Sequence, residues 1–337
     1  MKVYTKQELN FFNQSLTYDD ISLIPTQISR IKSRTEASTT CNFLGLKLNV
    51  PVISSPMDSV TGLEMAKELS SLGCIGILNR FDSSLDSLLN SKNGRGIKAV
   101  SIALNTDLKI IEKIVEKKYM ICIDTANANN KEVLKKTEQI KKKFDVKVIV
   151  GNIAHGESLH QLEDAGADAV RVGIGSGSVC TTSIQTGIGI GQVSSLLNIY
   201  HTRNEKKIKI KIIADGGIKS PGDVAKAIAL GADVVMLGRM LSGTRETPGE
   251  VIKYNGQLWK KYRGSASFGV KMRNEFIEGE ETMVAYKGAV KNVIDGISDG
   301  LKSSMSYMNC FNLDELRKTE TFAILSNSSY LERLPKM

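Results

Sequence analysis

Eight short runs of β-branched and aliphatic residues recur along the chain, each separated from the next by a segment long enough to form a helix. The runs are Val52–Ser54, Cys74–Leu78, Ala99–Ala103, Met120–Ile123, Val146–Gly151, Ala169–Gly173, Ile210–Ala214 and Val234–Leu237. Between them Thr61–Leu72, Asp82–Leu89, Asp107–Lys117, Lys131–Phe144, Gly156–Ala165, Gly191–Thr202 and Pro221–Leu230 mostly place apolar residues at i, i+3 and i+4. Strands joined by helix-length crossovers pair in parallel. Eight such units over roughly 200 residues fit an α/β fold of the (β/α)8 TIM-barrel class better than an open doubly wound sheet. The expectation is a single domain over residues 1–337, with an N-terminal extension (1–48) and a C-terminal part (239–337) holding an eighth helix, a short connection and a tail.

In such a barrel the chemistry sits at the C-terminal ends of the strands. Two units resemble each other: Gly166-Ala-Asp-Ala-Val-Arg-Val-Gly173 and Gly231-Ala-Asp-Val-Val-Met-Leu-Gly238 share an entry aspartate and a glycine at the strand's end. The first leads into Gly173-Ile-Gly-Ser-Gly-Ser-Val-Cys-Thr-Thr182, on the longest crossover. Its glycines let backbone amides turn inward around an anion, Ser178 adds a hydroxyl, and the natural ligand is a phosphate. Cys180 closes this turn, where backbone dipoles favour a thiolate, although a lone cysteine is otherwise a small buried hydrophobe. Cys41, Cys74, Cys122 and Cys310 lack such a setting and are assigned to packing. After the seventh strand, Ala214-Asp-Gly-Gly217 precedes Ser220-Pro221, an N-cap followed by proline at the first helical position. Asp215 there suits either a ribose diol or the cap of a loop.

Composition narrows the class. The 337 residues are 41% hydrophobic and 24% charged, which excludes disorder and collagen-like repeats. The net charge of +9 comes from lysine-rich helical faces with interspersed glutamates and no aromatic stacking pattern, so nucleic acid is not an expected partner. Five cysteines without C-x-x-C spacing and three histidines (His155, His160, His201) give no zinc or disulfide framework. There is no run of 18 apolar residues and no signal-peptide core, so no membrane is expected and the expected compartment is the cytoplasm.

The segments Gly173–Thr182, Ala214–Gly217, Met236-Leu-Gly-Arg-Met-Leu-Ser-Gly243 and Tyr262-Arg-Gly264 together resemble the IMP dehydrogenase and GMP reductase family. So do Leu16-Thr-Tyr-Asp-Asp-Ile-Ser-Leu-Ile-Pro25, Ser54-Ser-Pro-Met-Asp-Ser-Val60 and Glu278-Gly-Glu-Glu-Thr-Met-Val-Ala-Tyr-Lys-Gly288, in collinear order. The resemblance implies a purine nucleoside monophosphate as substrate, with Cys180 attacking C2 of the purine. It further implies that Ser178, Gly217, Gly238 and Tyr262 hold the phosphate, Asp215 the ribose, and Ser55 and Met57 the base and sugar surroundings. Arg239, Gly264 and Ser265 fall in the same substrate pocket, and Asn79, Asp124 and Asn127 approach a nicotinamide cofactor. Carbonyls of Gly175, Gly177 and Cys180 match a monovalent-cation (K+) loop, and the assembly implied is a homotetramer. The chain departs from the pattern at Arg239, where a small residue is usual, and at Arg245, where a glutamate is expected. The tail Glu332-Arg-Leu-Pro335 keeps only part of the dehydrogenase C-terminal motif, and no CBS repeats interrupt the barrel.

Within the family, a dehydrogenase must hydrolyse a thioimidate and uses a mobile flap with an Arg-Tyr pair. A reductase expels ammonia from GMP, accepts hydride from NADPH and needs an acid instead. Between Ser267 and Glu278 lie ten residues, Phe268–Ile277, without an Arg-Tyr pair, too short for that flap. Asp124-Thr-Ala-Asn127 also leans toward a reductase, whereas Ser54–Val60 and Ser303–Tyr307 look equally dehydrogenase-like. The expected activity is NADPH-dependent reductive deamination of GMP to IMP. Glu278, relayed by Thr182, is the expected acid, its carboxyl raised in pKa by an apolar purine; outside the resemblance it reads as a solvated glutamate. The alternatives are an IMP dehydrogenase without CBS domains and, more distantly, a flavin or other phosphate-binding barrel.

Overall fold

The computed structural model describes residues 2–81, 85, 88–89, 96–178, 181–264 and 281–333. Ahead of the barrel come β1 (Ile21–Leu23) and a hairpin of β2 (Cys41–Phe43) and β3 (Leu46–Leu48). The barrel comprises β4 (Val52–Ser54), β5 (Ile75–Leu78), β6 (Ala99–Ile102), β7 (Met120–Asp124), β8 (Val148–Ile153), β9 (Ala169–Val172), β10 (Lys211–Asp215) and β11 (Val234–Leu237). All eight pair in parallel, and β11 closes on β4 through Val235–Val52, Met236–Ile53 and Leu237–Ser54. The chain is a (β/α)8 barrel, built from the eight runs anticipated from sequence with no end shifted by more than two residues.

Helix starts follow local chemistry. Asp107 accepts the Lys109 amide at 2.7 Å, Asn130 the Glu132 amide at 2.8 Å, and Ser220 caps the Asp223 amide ahead of Pro221. Helices Leu63–Ser71, Leu108–Glu116, Lys131–Lys143 and Pro221–Ala229 match the predicted ones, and the next long one runs Gln192–Glu205. The segment 156–165 divides into a 3-10 turn, Gly156–Ser158, and the helix Leu159–Asp164. Of the helix expected over Asp82–Leu89, most lies outside the described residues.

The entry aspartates of the two similar units do the same work. Asp168 accepts from the Val148 amide (2.9 Å) and from Lys141 and Lys147. Asp233 accepts from the Ile212 amide (2.8 Å) and from Arg203 and Lys211. Each aspartate thus ties its own strand's start to that of the preceding strand. Burial alone would raise the Asp168 pKa; hydrogen bonds from Lys147, the Val148 amide and Lys141 outweigh it and hold it low.

Apolar residues form two cores. One lies between strands and helices; the other fills the barrel with Ile53, Ile75, Ile77, Ala99, Met120, Cys122, Ile149, Ala169, Ile213, Val234 and Met236. Phe43 and Leu48 of the β2–β3 hairpin join this inner core and plug the N-terminal mouth. Burial pushes the pKa of Cys41 and Cys310 up to about 11 and of Cys74 and Cys122 up to about 12, in keeping with packing roles.

The C-terminal part holds more than an eighth helix. A three-stranded antiparallel sheet of β12 (Ile252–Tyr254), β13 (Gln257–Arg263) and β14 (Glu281–Ala285) precedes the helix Val290–Tyr307, and β15 (Phe322–Ile324) pairs antiparallel with β1. The alternation of these strands is interrupted by Lys260 and Lys261, but the Asn255-Gly256 turn that joins β12 to β13, with both residues at positive φ, is a hairpin signal that the sequence reading did not use. Among the described residues no helix is long and apolar enough to cross a membrane.

Gly76 on β5 lets the helix Leu63–Ser71 sit against the strand: a Cβ there would lie 2.4 Å from the Ala66 Cα. Gly76→Ala is expected to cost about 2 kcal/mol through overpacking and to lower Tm by about 3 °C, measured by calorimetry.

Candidate active site

Of the residues singled out from sequence, Ser55, Met57, Ser178, Asp215, Gly217, Gly238 and Tyr262 collect at the C-terminal end of the barrel. β9 ends at Gly173, whose φ of +142° and tight packing leave no room for a side chain: a Cβ would lie 2.0 Å from the Asp215 carbonyl oxygen. The loop that follows rests on Gln192, which is buried, donates to the Val172 carbonyl at 2.6 Å and accepts from Ser176 at 3.0 Å. Ser178 then meets the Tyr262 hydroxyl at 3.3 Å. Val179 and Cys180 lie outside the described residues. Thr182 is half-buried and begins the short helix Thr182–Thr186.

Gly238, at the end of β11, faces the Tyr262 hydroxyl, the Met57 sulfur and the Ser55 side chain: a Cβ on it would stand 3.0, 3.3 and 3.9 Å from them. These four residues and Ser178 come together from three barrel strands and β13. Burial raises the Tyr262 pKa, and the opposing effects of the Ser178 hydrogen bond and of Arg239 are smaller, so the phenol stays a donor. Arg239 is exposed beside Gly238, and Lys287 donates to the carbonyls of Arg239 and Met240. Burial and the Arg239 charge lower the Lys287 pKa.

β13 carries Tyr262 to this point because Arg263 is pinned by Asp58: its Nε donates to Oδ2 at 2.7 Å, and its backbone exchanges hydrogen bonds with the Ser59 hydroxyl. The pairing of Arg263 with Glu281 returns the chain to the same edge. Gly264 follows directly. Ser265 and Glu278 lie outside the described residues.

Asp215, half-buried at the end of β10, is engaged by protein groups not anticipated from sequence. Its Oδ2 accepts from Asn152 Nδ2 (2.8 Å) and from Nε and Nη2 of Arg171 (3.1 and 2.8 Å). Arg171 Nη1 also donates to Asp124 Oδ1 at 2.6 Å, so the residues expected for ribose and for cofactor share one guanidinium. Burial alone would lower the Arg171 pKa, but Asp215 and Asp124 raise it well above the usual arginine value. The signal for Arg171 is present in the sequence: an arginine within a buried strand demands anionic partners. Gly217 (φ +76°) stacks on the buried ring of Tyr18, 3.5 Å from its would-be Cβ.

On the cofactor side, Asn127 is exposed and its Oδ1 accepts the Asn129 amide at 3.0 Å. Asn79 is 1% exposed, with its side chain bonded to the Thr61 carbonyl and the Phe81 amide, so it shapes the loop from beneath. Gly175 and Gly177 lie on the loop after β9, and among the described residues no hydrogen bond is donated to either carbonyl. No His, Cys, Asp and Glu cluster able to hold a metal occurs among the described residues.

Residues 15–336 match the family model described as IMP dehydrogenase / GMP reductase domain. The chain belongs to this family. A GMP reductase of Lactobacillus delbrueckii subsp. bulgaricus is 34% identical over 330 residues, covering 95% of this chain and 98% of the relative. A GMP reductase of Staphylococcus aureus is 35% identical over 322 residues, with 93% and 97% covered. An inosine-5'-monophosphate dehydrogenase of Borreliella burgdorferi is 32% identical over 394 aligned positions, with 96% of each chain covered. That alignment is longer than the 337 residues of this chain, so the dehydrogenase has inserted segments that this family member lacks.

Gly238→Ala would fill the recess under the Tyr262 hydroxyl without touching backbone. Binding of a nucleoside 5'-monophosphate, measured by titration calorimetry, is expected to weaken at least about tenfold, the scale of one lost charge-assisted hydrogen bond, with Tm nearly unchanged.

Proposed function

We propose that this protein is a GMP reductase, converting GMP to IMP and ammonia with NADPH through a covalent adduct on Cys180. The observation that carries the reading is the connection between β13 and β14. It leaves the site at Arg263 and re-enters at Glu281, and its Phe268–Ile277 stretch has neither the length nor the Arg-Tyr pair of a hydrolytic flap. The family's dehydrogenase chemistry ends in hydrolysis, whereas the reductase chemistry needs an acid. Glu278, three residues ahead of Glu281 in the sequence, is the acid in this reading.

In this reading Ser178, Gly217, Gly238 and Tyr262 hold the 5'-phosphate, with Arg239 adding a cation at the rim. Ser55 and Met57 flank base and sugar, with Gly264 and Ser265 completing the pocket. Asp215 accepts from the ribose hydroxyls with the carboxylate oxygen not used by Arg171 and Asn152. Cys180, as thiolate, adds to C2 of the purine, and Thr182 relays a proton from Glu278 to the exocyclic amine. The C2–N bond breaks and ammonia leaves. After hydride reaches C2, the C–S bond breaks and the thiolate is regenerated. NADPH, when bound, supplies that hydride; Asp124 and the exposed Asn127 are polar groups suited to its carboxamide and ribose, with Asn79 supporting the loop. The carbonyls of Gly175 and Gly177, with that of Cys180, suit a monovalent cation such as K+, which prefers oxygen donors. A cytoplasmic homotetramer of one catalytic domain over residues 1–337 completes the proposal.

With GMP and NADPH, chromatography is expected to show IMP, ammonia and NADP over many turnovers, and with IMP and NAD no sustained XMP. Multi-turnover XMP formation would replace the reductase by the dehydrogenase. Cys180→Ala is expected to bind GMP but to oxidise NADPH no faster than a blank, because the nucleophile is gone while the phosphate site is intact.

A further inference from the structure

Arg171 joins two carboxylates that the proposed chemistry uses for different ligands. Its guanidinium side chain is 7% exposed and lies in a line of alternating charge. Arg80 stands 3.4 Å from Asp124 Oδ2, Asp124 Oδ1 is 2.6 Å from Arg171, and Arg171 makes two bonds to Asp215, which Asn152 completes. Gly151 on β8 makes room for it: a Cβ there would lie 2.3 Å from the Arg171 Cβ. The line is tight at the Asp215 end and loose at the other, where the buried Arg80 Nε forms an ion pair but no hydrogen bond.

We propose that Arg171 is a positioning residue that couples the nucleotide site to the cofactor site, so that GMP bound at Asp215 tightens the hold on Asp124 and raises affinity for the dinucleotide. The proposal rests on the assignment of Asp215 to ribose and Asp124 to the cofactor. Its physical basis is competition for one cation. When ribose hydroxyls donate to Asp215, that carboxylate has less negative charge to offer Arg171. The guanidinium is buried and must keep its charge matched, so it leans more on Asp124. Asp124 is then held in one orientation before the cofactor arrives, which removes part of the ordering cost. Linkage makes the effect mutual: the dinucleotide must tighten GMP by the same factor.

The test uses NADP+, which cannot deliver hydride and so forms a dead-end complex with GMP. Titration calorimetry would give the dissociation constant of NADP+ with and without saturating GMP. For the full-length wild-type enzyme GMP is expected to lower that constant at least about fivefold, the lower end of typical coupling. In Arg171→Lys, whose single ammonium cannot serve both acids, and in Asp124→Asn, the ratio is expected to fall to about one. GMP affinity in Asp124→Asn should stay within about threefold of wild type, with kcat falling more than the KM for GMP rises; a purely structural arginine would not produce that split. Should Arg171→Lys fail to fold in a thermal melt, Asp124→Asn carries the same readout with the arginine in place. A wild-type ratio retained in either folded variant, or a wild-type ratio of one, overturns the coupling alone. Failure of wild type to bind GMP overturns the functional reading and the coupling with it.

Discussion

Closure of β11 onto β4 is the constraint from which the rest follows. A closed parallel sheet has no unpaired edge, and each strand must be reached by a crossover that returns the chain to the same end. Every strand therefore delivers its C-terminal loop to one face, where Ser55, the Gly173–Ser178 loop, Asp215–Gly217 and Gly238 meet. Closure also makes an interior that has to be filled. Aliphatic side chains occupy its middle, and Phe43 and Leu48 seal the N-terminal mouth.

At the C-terminal end the filling changes character. Asp124 continues the inward register of Met120 and Cys122, Arg171 that of Ala169, and Asp215 that of Ile213. Three charges there are acceptable only because they satisfy each other: removing one partner of a buried ion pair costs about 3–5 kcal/mol. The protein thus trades apolar filling for a polar floor under the site, set by Gly151 and by the hydrogen bonds of Asn152.

Segments outside the eight-fold repeat hold the rim. The ion pair of Lys219 with Asp19 and the hydrogen bond of Lys226 to the Tyr18 carbonyl fix the N-terminal extension against the helix Pro221–Ala229, which puts the Tyr18 ring under Gly217. β13 brings Tyr262 over Gly238 because Asp58 grips Arg263. The buried Lys260 donates to the carbonyls of Thr244, Arg245 and Thr247, anchoring the same strand to the segment after β11. These attachments bring residues from outside the repeat to the C-terminal mouth of the barrel.

The sequence by itself determined a parallel α/β fold, because alternation of buried strands and amphipathic helices is a local pattern, and eight repeats of it fit a barrel better than an open sheet; the pairing of β11 with β4 is what closes it. It also marked the glycine turns at Gly173–Ser178 and Asp215–Gly217, where Gly173, Gly175, Gly216 and Gly217 take positive φ, since that conformation is written into residue type. It marked Ser178, Gly238 and Tyr262 as companions through family motifs, and the structure places them in contact. Three things were decided only by tertiary structure. The sheet β12–β14 exists through pairing and anchoring rather than through its own alternation. The hairpin at Phe43 acquires its role only because a barrel mouth needs a plug. And the partners of Asp215 come from β8 and β9, so one aspartate compatible with a ribose site or a loop cap became part of a shared ion-pair line once closure brought three strands side by side. Charge pairing at short range depends on distances across the barrel, and no local pattern along the chain encodes those.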